Sequence, residues 1–338
     1  MPIYDCFMFN DEVDVLTFRI NYYRHVVDQF VVAESSTSFS GVKKQVQAAK
    51  IFERSGLTQD RYKIIEYEPS KEMIANASVD RWPIERFARN SLKVANNELE
   101  SSDIVLLSDV DEIASTGQIQ RHVNSLEIVS LLTPLYYRKA NWLSIQGKGW
   151  HTFKIGPAHL FNDLNQIRYS KTNVEKAMPG AHLSYLALSP SDIVSKAKNS
   201  AHREFEINHD VANGLLRFSD QFQIDHLGRF DRKGFGLLTP IGYEDLGGVG
   251  REFFLEFPEY FDFTNSSSNR ITRMAAALAV SKAWESGITG EPIHFRVIEV
   301  FGAIPTQYAT RVWKFLPRTV NKLLKQIRKY ARVPRKLR

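Results

Sequence analysis

The sequence predicts an α/β fold with a mostly parallel, doubly wound sheet, and three observations lead to this prediction. Over residues 1–128, strand-like segments alternate with segments whose apolar residues have helical spacing. One strand-like segment, 104–107, is apolar at every position, as expected for a strand that helices cover on both faces. It leads directly to the acidic residues Asp109, Asp111 and Glu112, and ligands in such sheets bind at the carboxyl ends of the strands.

The elements of this first part follow from local patterns. In the first helix, Leu16, Ile20 and Tyr23 recur at three- to four-residue steps. A polar loop precedes the second helix, which Gly56 ends. The predicted strands are residues 3–9, 28–34, 62–67 and 104–107, and the predicted helices are residues 12–23, 45–54 and 83–99.

From about residue 129 the pattern changes. Longer, aromatic-rich strands are predicted at 129–138 and 153–161. Ser189, Pro190 and Asp192 predict the start of a helix, because they supply an N-cap, a first-turn proline and an acid at the third position. The glycines of residues 228–250 predict a loop or lid. We therefore divide the chain into residues 1–128, residues 129–309 and a tail of residues 310–338.

The composition restricts the possible classes of protein. The chain has 338 residues, of which 43% are hydrophobic, so it can bury a substantial core. Cys6 is the single cysteine, so no intrachain disulfide can form, and this fits a reducing compartment. We find no signal peptide and no apolar stretch long enough to span a bilayer, so we expect a cytoplasmic protein.

Positive charge is concentrated at the end of the chain. The formal net charge is +6, but eleven basic residues and no acid follow Glu299, so the preceding part carries −5. We therefore expect no nucleic-acid partner. After Pro317, apolar and basic residues fall on opposite helical faces, so residues 311–338 predict an amphipathic basic helix on the anionic inner face of the cytoplasmic membrane. In the alternative interpretation, the apolar face packs on the protein body and the charges are solvated.

The acidic cluster after the fourth strand predicts a metal site. Asp109 and Asp111 are separated by one residue, and two carboxylates at this spacing can bind one Mn²⁺ or Mg²⁺ ion. The other coordination positions would be left for phosphate oxygens of a substrate. In the alternative interpretation, the cluster is an acidic turn that caps a helix beginning near Thr116.

Segments spread over roughly residues 3–206 form a pattern in a fixed order. They are residues 4–9, 12–16, Arg19, Asn21, 26–35, 39–41, Trp82, Glu85, Arg89, Asn90, 103–112, 180–186, His202, Glu204 and Phe205. Together they resemble glycosyltransferase family 17, whose animal members transfer the bisecting N-acetylglucosamine to N-glycans. The resemblance implies a glycosyltransferase-A type fold with a Rossmann-like sheet, a nucleotide-sugar donor, a divalent metal and inversion at the anomeric carbon. It makes residues 1–128 the nucleotide-sugar-binding half and residues 129–309 the acceptor-side half of one catalytic domain.

The resemblance also implies residues that contact the donor. They are Glu12, Glu34, Glu85, Arg89 and Asn90. Glu34 ends the second strand, where a carboxylate can accept hydrogen bonds from the nucleoside. Glu85 and Arg89 are four residues apart on a predicted helix, so in the alternative interpretation they form only a surface ion pair.

Inversion requires a general base, and the sequence leaves several candidates open. Glu204 is the first candidate, followed by Asp192 and Glu112. Glu112 could instead orient a metal ligand, bind the sugar or stabilise a helix start. His202 or His182 could complete the metal shell, although either could be an ordinary hydrogen-bonded histidine.

This chain departs from the family pattern in two ways, and these departures limit which properties of the family can be expected of it. Asn10 and Asp11 stand where the family more often has an aromatic residue and an asparagine. The membrane anchor of the animal enzymes is not found either, so the N-glycan acceptor is not carried over. The expected function is transfer of N-acetylglucosamine from UDP-N-acetylglucosamine to a hydroxyl of a glycan or lipid-linked acceptor.

Two other classes of protein share part of this pattern. A haloacid-dehalogenase-type phosphatase would have its Asp-x-Asp pair after the first strand, which does not fit positions 109 and 111. A catalytically weak glycan- or nucleotide-binding module, tethered to membrane or nucleic acid by the basic tail, is the alternative function. The intact Asp109 and Asp111 pair argues against it.

Overall fold

The structure is a computed structural model. It describes residues 1–96, 98–144, 149–171, 173–175, 178–200, 208–225 and 236–265, together with residues 273, 276, 277 and 280. Its architecture is mixed α/β, with strands, helices and two sheets. The chain divides into two compact units, residues 1–206 with 240–263, and residues 207–239 with 264–338. The candidate site lies in the first unit.

The secondary structure bears out most of the elements predicted for residues 1–128. The strands are β1 (Ile3–Met8), β2 (Gln29–Glu34), β3 (Tyr62–Glu66), β4 (Ile104–Asp109), β5 (Glu112–Ile113), β6 (Val129–Thr133), β7 (Leu135–Tyr137), β8 (Trp142–Ser144), β9 (Trp150–Pro157), β10 (Val174–Glu175), β11 (Ala181–Ser184) and β12 (Leu238–Pro240). The α-helices are α1 (Val13–Tyr23), α2 (Ala48–Arg54), α3 (Lys71–Asn76), α4 (Trp82–Ser91), α5 (Lys93–Asn96), α6 (Thr116–His122), α7 (Leu164–Tyr169), α8 (Pro190–Asn199), α9 (His209–Phe222) and α10 (Gly248–Glu256). None of the helices in the described part of the chain combines the length and the apolar character needed to cross a membrane.

The larger sheet has seven strands in the order β10-β6-β9-β4-β1-β2-β3. Strand β1 runs parallel to both β2 and β4, and β2 runs parallel to β3. Strand β9 is antiparallel to its neighbours β4 and β6, so the sheet is mostly but not wholly parallel. The register pairs Met8 with Asp109 on one side and with Ala33 on the other. The carboxyl ends of these three strands therefore meet at one edge.

A smaller sheet begins directly after Asp111. Within the first unit its strands are in the order β8-β7-β11-β5. Strand β11 is antiparallel to β5 and pairs His182 with Glu112. The same strand is parallel to β7, where His182 pairs with Leu135. This sheet therefore brings a distant histidine to the acidic cluster.

Two apolar clusters cover the two faces of the larger sheet. Consecutive residues of β4 alternate between them, with Leu106 in one cluster and Leu107 in the other. Helices α1 and α2 contribute Leu16 and Phe52 to the first cluster, and α4 contributes Ala88 to the second. Cys6 lies in the second cluster, and burial raises the pKa of its thiol. The prediction that helices cover β4 on both faces is confirmed.

Three predicted elements are shorter than expected. The strand predicted at 129–138 is interrupted at Pro134, which has no N–H to donate, and β6 and β7 belong to different sheets. The strand predicted at 153–161 is observed as β9, and a single 3₁₀ turn, Ala158–Leu160, follows it. The helix predicted at 83–99 is divided into α4 and α5 at Leu92.

The predicted glycine-rich loop or lid is partly wrong. Residues 226–235 lie outside the described residues, but α10 begins at Gly248. Val249 and Phe253 of this helix are buried in the core of the first unit, and this burial outweighs the low helix propensity of its two glycines.

The second unit is described only in part. It contains α9 and an antiparallel bridge between Ile224 and Leu237. Arg273 donates through Nε to the carbonyl oxygen of Phe222 at 2.8 Å and through Nη2 to that of Gln223 at 3.0 Å. The tail of residues 310–338 lies outside the described residues.

Candidate functional site

The candidate site lies where β1, β2 and β4 end. The turn after β4 carries Asp109, Asp111 and Glu112, and β5 continues from it. A buried arginine of α1 holds the backbone of this turn. The Nη1 atom of Arg19 donates to the carbonyl oxygens of Asp109, Val110 and Glu112 at 3.0, 3.1 and 2.8 Å.

Arg19 is itself paired inside the protein. Its Nε and Nη2 atoms donate to the two carboxylate oxygens of Asp5 at 2.7 and 2.6 Å, and both side chains are fully buried. Nη2 also donates to the hydroxyl of Ser108 at 2.7 Å. The guanidinium thus ties the backbone of the acidic turn to the core, while the side chain of Asp109 stays 32% exposed.

Glu112 is the most enclosed carboxylate of the site. It is fully buried and accepts hydrogen bonds from Trp150 Nε1 at 2.7 Å, from the hydroxyl of Thr152 and from the backbone N–H of Asp109 at 3.1 Å. Arg168 donates to both of its oxygens, at 2.9 and 2.8 Å. Burial opposes its ionisation, but Arg168, His182 and Thr152 together outweigh burial and lower the pKa of Glu112. This geometry fits an orienting role and argues against the general-base role that we expected as one possibility.

Asp109 shares Arg168 with Glu112. Arg168 Nη2 donates to Asp109 Oδ2, and Arg89 Nη2 lies 3.5 Å from Asp109 Oδ1. Burial raises the pKa of Asp109 to about 6 against the opposing charge of Arg168, and the negative charge of Glu112 contributes to the rise. Two arginines therefore hold the first carboxylate of the Asp-x-Asp pair.

Asp111 has a different environment. Its Oδ1 atom lies 3.6 Å from Nε2 of His182, one of the two histidines that we expected to complete a metal shell. Burial favours the protonated acid, but His182 and Lys196 together outweigh burial and lower the pKa of Asp111. Within the described ranges, no group of three or more His, Cys, Asp or Glu side chains is placed to hold a metal ion. The protein ligands evident at Asp111 are thus one carboxylate and one imidazole.

Three of the predicted donor residues come together beside Asp109. Arg89 is buried and donates to Glu85 Oε1 at 2.9 Å and to Asn165 Oδ1 at 2.8 Å. Asn165 in turn donates to Asn90 Oδ1 at 2.8 Å. The i,i+4 pair of Glu85 and Arg89 is present, but it is part of a network at the site rather than a surface contact.

Glu34 lies at the expected strand end but is fully enclosed. Its two oxygens accept from the backbone N–H groups of Gln47 and Ala48 at 2.9 Å each, and Lys44 Nζ lies 3.3 Å away. These are the first N–H groups of α2, where a carboxylate also interacts favourably with the helix dipole. Glu34 therefore caps a helix, and this geometry argues against the expected contact with the nucleoside.

The remaining predicted residues line a cavity or lie outside the described residues. Glu12 and Asp192 face a cavity of about 250 Å³, where Glu12 Oε1 lies 3.3 Å from Lys196 Nζ. Asp192 accepts from the backbone N–H groups of Leu188 and Ser189 at 2.8 and 2.7 Å, so the predicted helix start is confirmed. His202 and Glu204 lie outside the described residues.

Several residues of the site were not predicted from the sequence, among them Trp150 and Thr152 of β9. Arg168 and Asn165 lie on α7, and Lys196 lies on α8. Arg168 is 56 residues from Glu112 in the chain, and no local pattern marks a contact across that separation. A partial signal was available for α7, because Asn165 and Arg168 are three residues apart and therefore share a helix face.

Comparison with known proteins gives the family. No curated protein matches the chain. Residues 1–212 match the family model described as glycosyltransferase family 17. The matched segment is more than half of the chain and contains Asp109, Asp111 and the residues that surround them. The chain therefore belongs to glycosyltransferase family 17.

Proposed function

We propose that the protein is a metal-dependent, inverting glycosyltransferase of the glycosyltransferase-A type. It transfers N-acetylglucosamine from UDP-N-acetylglucosamine to a hydroxyl group of a glycan or lipid-linked acceptor. Glycosyl transfer is the activity that membership of the family indicates. The metal, the donor, the acceptor and the stereochemistry are proposed here.

The observation that carries the proposal is the position of the Asp-x-Asp pair. Asp109 and Asp111 follow the parallel strand β4, at the edge where β1 and β2 also end. In open α/β sheets this edge binds the ligand, and a diphosphate needs cationic partners there. Arg89 and Arg168 are both occupied by carboxylates, so a bound cation is the natural partner for the diphosphate.

The residues around Asp111 fit a divalent cation. The carboxylate of Asp111 and the imidazole of His182 are 3.6 Å apart, and both groups are common metal ligands. Asp111 and His182 would hold the Mg²⁺ or Mn²⁺ ion. When bound, the ion would offset the negative charge that develops on the leaving nucleoside diphosphate. Asp109, held by Arg89 and Arg168, would be fixed beside it.

The transfer itself is a single displacement. The acceptor hydroxyl oxygen bonds to the anomeric carbon as the bond from that carbon to the diphosphate oxygen breaks, and UDP leaves with the electron pair. A base removes the hydroxyl proton during the attack. Glu204 remains the first candidate for this base, and Asp192 the second because it faces the cavity. Glu112 acts indirectly, since its contacts with Arg168 position Asp109.

Binding and turnover measurements test the proposal. The full-length protein should bind UDP in the presence of Mn²⁺ or Mg²⁺ and release it when a chelator is added. In a panel of nucleotide sugars, UDP-N-acetylglucosamine should be hydrolysed fastest when no acceptor is present. Metal-independent binding of a GDP- or CDP-sugar in preference to UDP would contradict the donor assignment. No turnover with any donor would favour the binding-module alternative.

A further inference from the structure

A cavity of about 250 Å³ lies within the first unit. It is bordered by the start of α1, by β11 and the residues after it, by α8 and by Tyr260. Its lining residues are Asp11, Glu12, Val13, Asp14, Val15, Leu183, Leu186, Asp192, Ser195, Lys196 and Tyr260. Pockets for drug-sized ligands measure about 300–1,000 Å³, so this cavity suits a ligand the size of a single sugar ring.

The cavity adjoins the acidic turn at Asp111. The backbone N–H of Leu183, a lining residue, donates to the carbonyl oxygen of Asp111 at 2.8 Å. Lys196, another lining residue, is near enough to Asp111 for the two opposite charges to attract each other. A ligand in the cavity would therefore lie next to the proposed position of the diphosphate.

Three of the four carboxylates in the lining already have strong partners. Glu12 is paired with Lys196, and Asp14 accepts from the hydroxyl of Tyr260 at 2.7 Å. Asp192 accepts from two backbone N–H groups at the start of α8. Their charges nevertheless remain in the wall, since Lys196 is the only cation among the lining residues that the structure describes.

The fourth carboxylate is less fully bonded. The Oδ2 atom of Asp11 lies 3.2 Å from Asn199 Nδ2 and 3.5 Å from the hydroxyl of Ser195. Burial and the neighbouring charge of Glu12 raise the pKa of Asp11, so another negative charge is already unfavourable at this wall.

We propose that this cavity is the acceptor-sugar subsite, that it selects an uncharged sugar ring, and that Asp11 determines this selectivity. The inference rests on the proposed function. Sugar hydroxyls donate hydrogen bonds, and the carboxylate oxygens of the wall accept them. A uronic acid or another anionic sugar would place a negative charge against a wall whose described residues carry four carboxylates and one ammonium group. Like charges at such a contact repel, so anionic acceptors bind more weakly than neutral ones.

Direct binding of simple glycosides to the full-length protein tests the subsite without requiring turnover. The probes are methyl β-N-acetylglucosaminide, methyl α-mannoside and methyl β-glucuronide, titrated with UDP and Mn²⁺ present and followed by ligand-observed NMR. At least one neutral glycoside should bind at least about tenfold more tightly than the glucuronide. Equal affinities, or tighter binding of the glucuronide, would overturn the inference.

Two pairs of variants connect the binding to the cavity. Asp11→Asn should reduce the ratio of the glucuronide Kd to the neutral-glycoside Kd several-fold. The control Asp60→Asn changes a fully exposed carboxylate and should leave this ratio unchanged. Ser195→Trp should fill the cavity and abolish glycoside binding, whereas Ser191→Trp, on the same helix but outside the lining, should not. Unchanged glycoside binding in Ser195→Trp would overturn the inference.

UDP binding distinguishes failure of the proposed function from failure of the acceptor-sugar subsite. If Ser195→Trp loses glycoside binding but still binds UDP with Mn²⁺, the fold is intact and both proposals are supported. If the wild type binds UDP but no glycoside, the subsite inference fails and the proposed function stands. If the wild type binds neutral glycosides but no UDP under any metal condition, the proposed function fails. Displacement of the glycoside by UDP-N-acetylglucosamine but not by UDP would assign the cavity to the donor sugar and overturn the inference.

Discussion

Two buried arginines arrange the carboxylates of the site at the scale of single residues. Arg19 binds three carbonyl oxygens of the acidic turn, and Arg168 binds both oxygens of Glu112 and reaches Asp109. Arg168 and Glu112 form a buried ion pair. Removing one partner of a buried ion pair leaves the other charge without compensation, which is strongly destabilising. The Arg168–Glu112 pair is therefore a positioning element: it holds the side chain of Asp109 in place.

Glu112→Gln should show this role in its stability and pH dependence. We expect the free energy of unfolding to fall by about 3–5 kcal/mol at pH 7, because the variant leaves Arg168 without a full partner. Because Arg168 lowers the pKa of Glu112 below its ordinary value of 4.5, the stabilisation is present above that pH. It is lost as the pH falls through the pKa of the folded state.

Urea unfolding of wild type and variant at a series of pH values measures this effect. Below about pH 5 the difference between them should shrink progressively on further acidification. The control is Glu98→Gln, which removes a 62% exposed carboxylate paired with Lys63 and should cost at most about 1 kcal/mol. A difference that stays constant to pH 3 would contradict the assigned role of Glu112.

Asp109→Asn and Asp111→Asn should each reduce turnover by orders of magnitude while the fold is retained. Asp111→Asn removes a charged ligand from the proposed metal site, and Asp109→Asn removes the group that two arginines hold beside it. Initial rates at saturating Mn²⁺, with circular dichroism as the fold check, provide the test. Retention of more than about a tenth of wild-type turnover, equivalent to about 1.4 kcal/mol or less, would refute either assignment.

Helix α8 links the sequence to the cavity at the scale of elements. Its capping box joins Ser189 and Asp192, and Pro190 occupies the first turn. The helix carries Lys196 to the cavity wall beside Glu12. The stability of its first turn should therefore affect how the acceptor binds.

Ser189→Ala tests this link. The substitution removes the hydroxyl that accepts from the backbone N–H of Asp192 at 3.3 Å, and we expect a loss of about 1 kcal/mol in stability. KM for the acceptor should rise more than kcat falls, because the cavity wall loosens while the acidic turn is untouched. Ser191→Ala, exposed on the same helix, should change stability by less than about 0.5 kcal/mol. Equal effects of the two variants on stability and KM would contradict the role of the cap.

Elements with strong local signals were predictable from the sequence. The apolar residues of β4, the spacing in α1 and the cap of α8 are local, and all three are confirmed. Asp109 and Asp111 could be located because they follow such a strand. The smaller sheet could not be predicted, because β5 is two residues long and pairs with the distant β11. His182 and Arg168 reach the site only through such non-local packing, and no spacing rule identifies them.

At the scale of the whole molecule, charge is distributed unevenly along the chain. The part before the tail carries −5, and eleven basic residues follow Glu299. We propose that the tail holds the enzyme on the inner face of the cytoplasmic membrane, near a lipid-linked acceptor. Apolar and basic residues at three- and four-residue steps after Pro317 support this proposal.

Removal of residues 311–338 should leave a folded, soluble protein that no longer binds anionic vesicles. Each well-placed basic residue contributes on the order of 1 kcal/mol at an anionic surface, and burial of the apolar face adds to this attraction. Cosedimentation with phosphatidylglycerol-rich and pure phosphatidylcholine vesicles measures the binding, and the full-length protein should prefer the former.

A full-length control with serine at Leu323, Leu324 and Ile327 keeps every charge of the tail. Its binding should be weaker and more sensitive to salt, because only the electrostatic part remains. Equal vesicle binding by the truncated and full-length proteins would refute the membrane role, and a salt-sensitive preference for DNA over vesicles would favour a nucleic-acid tether.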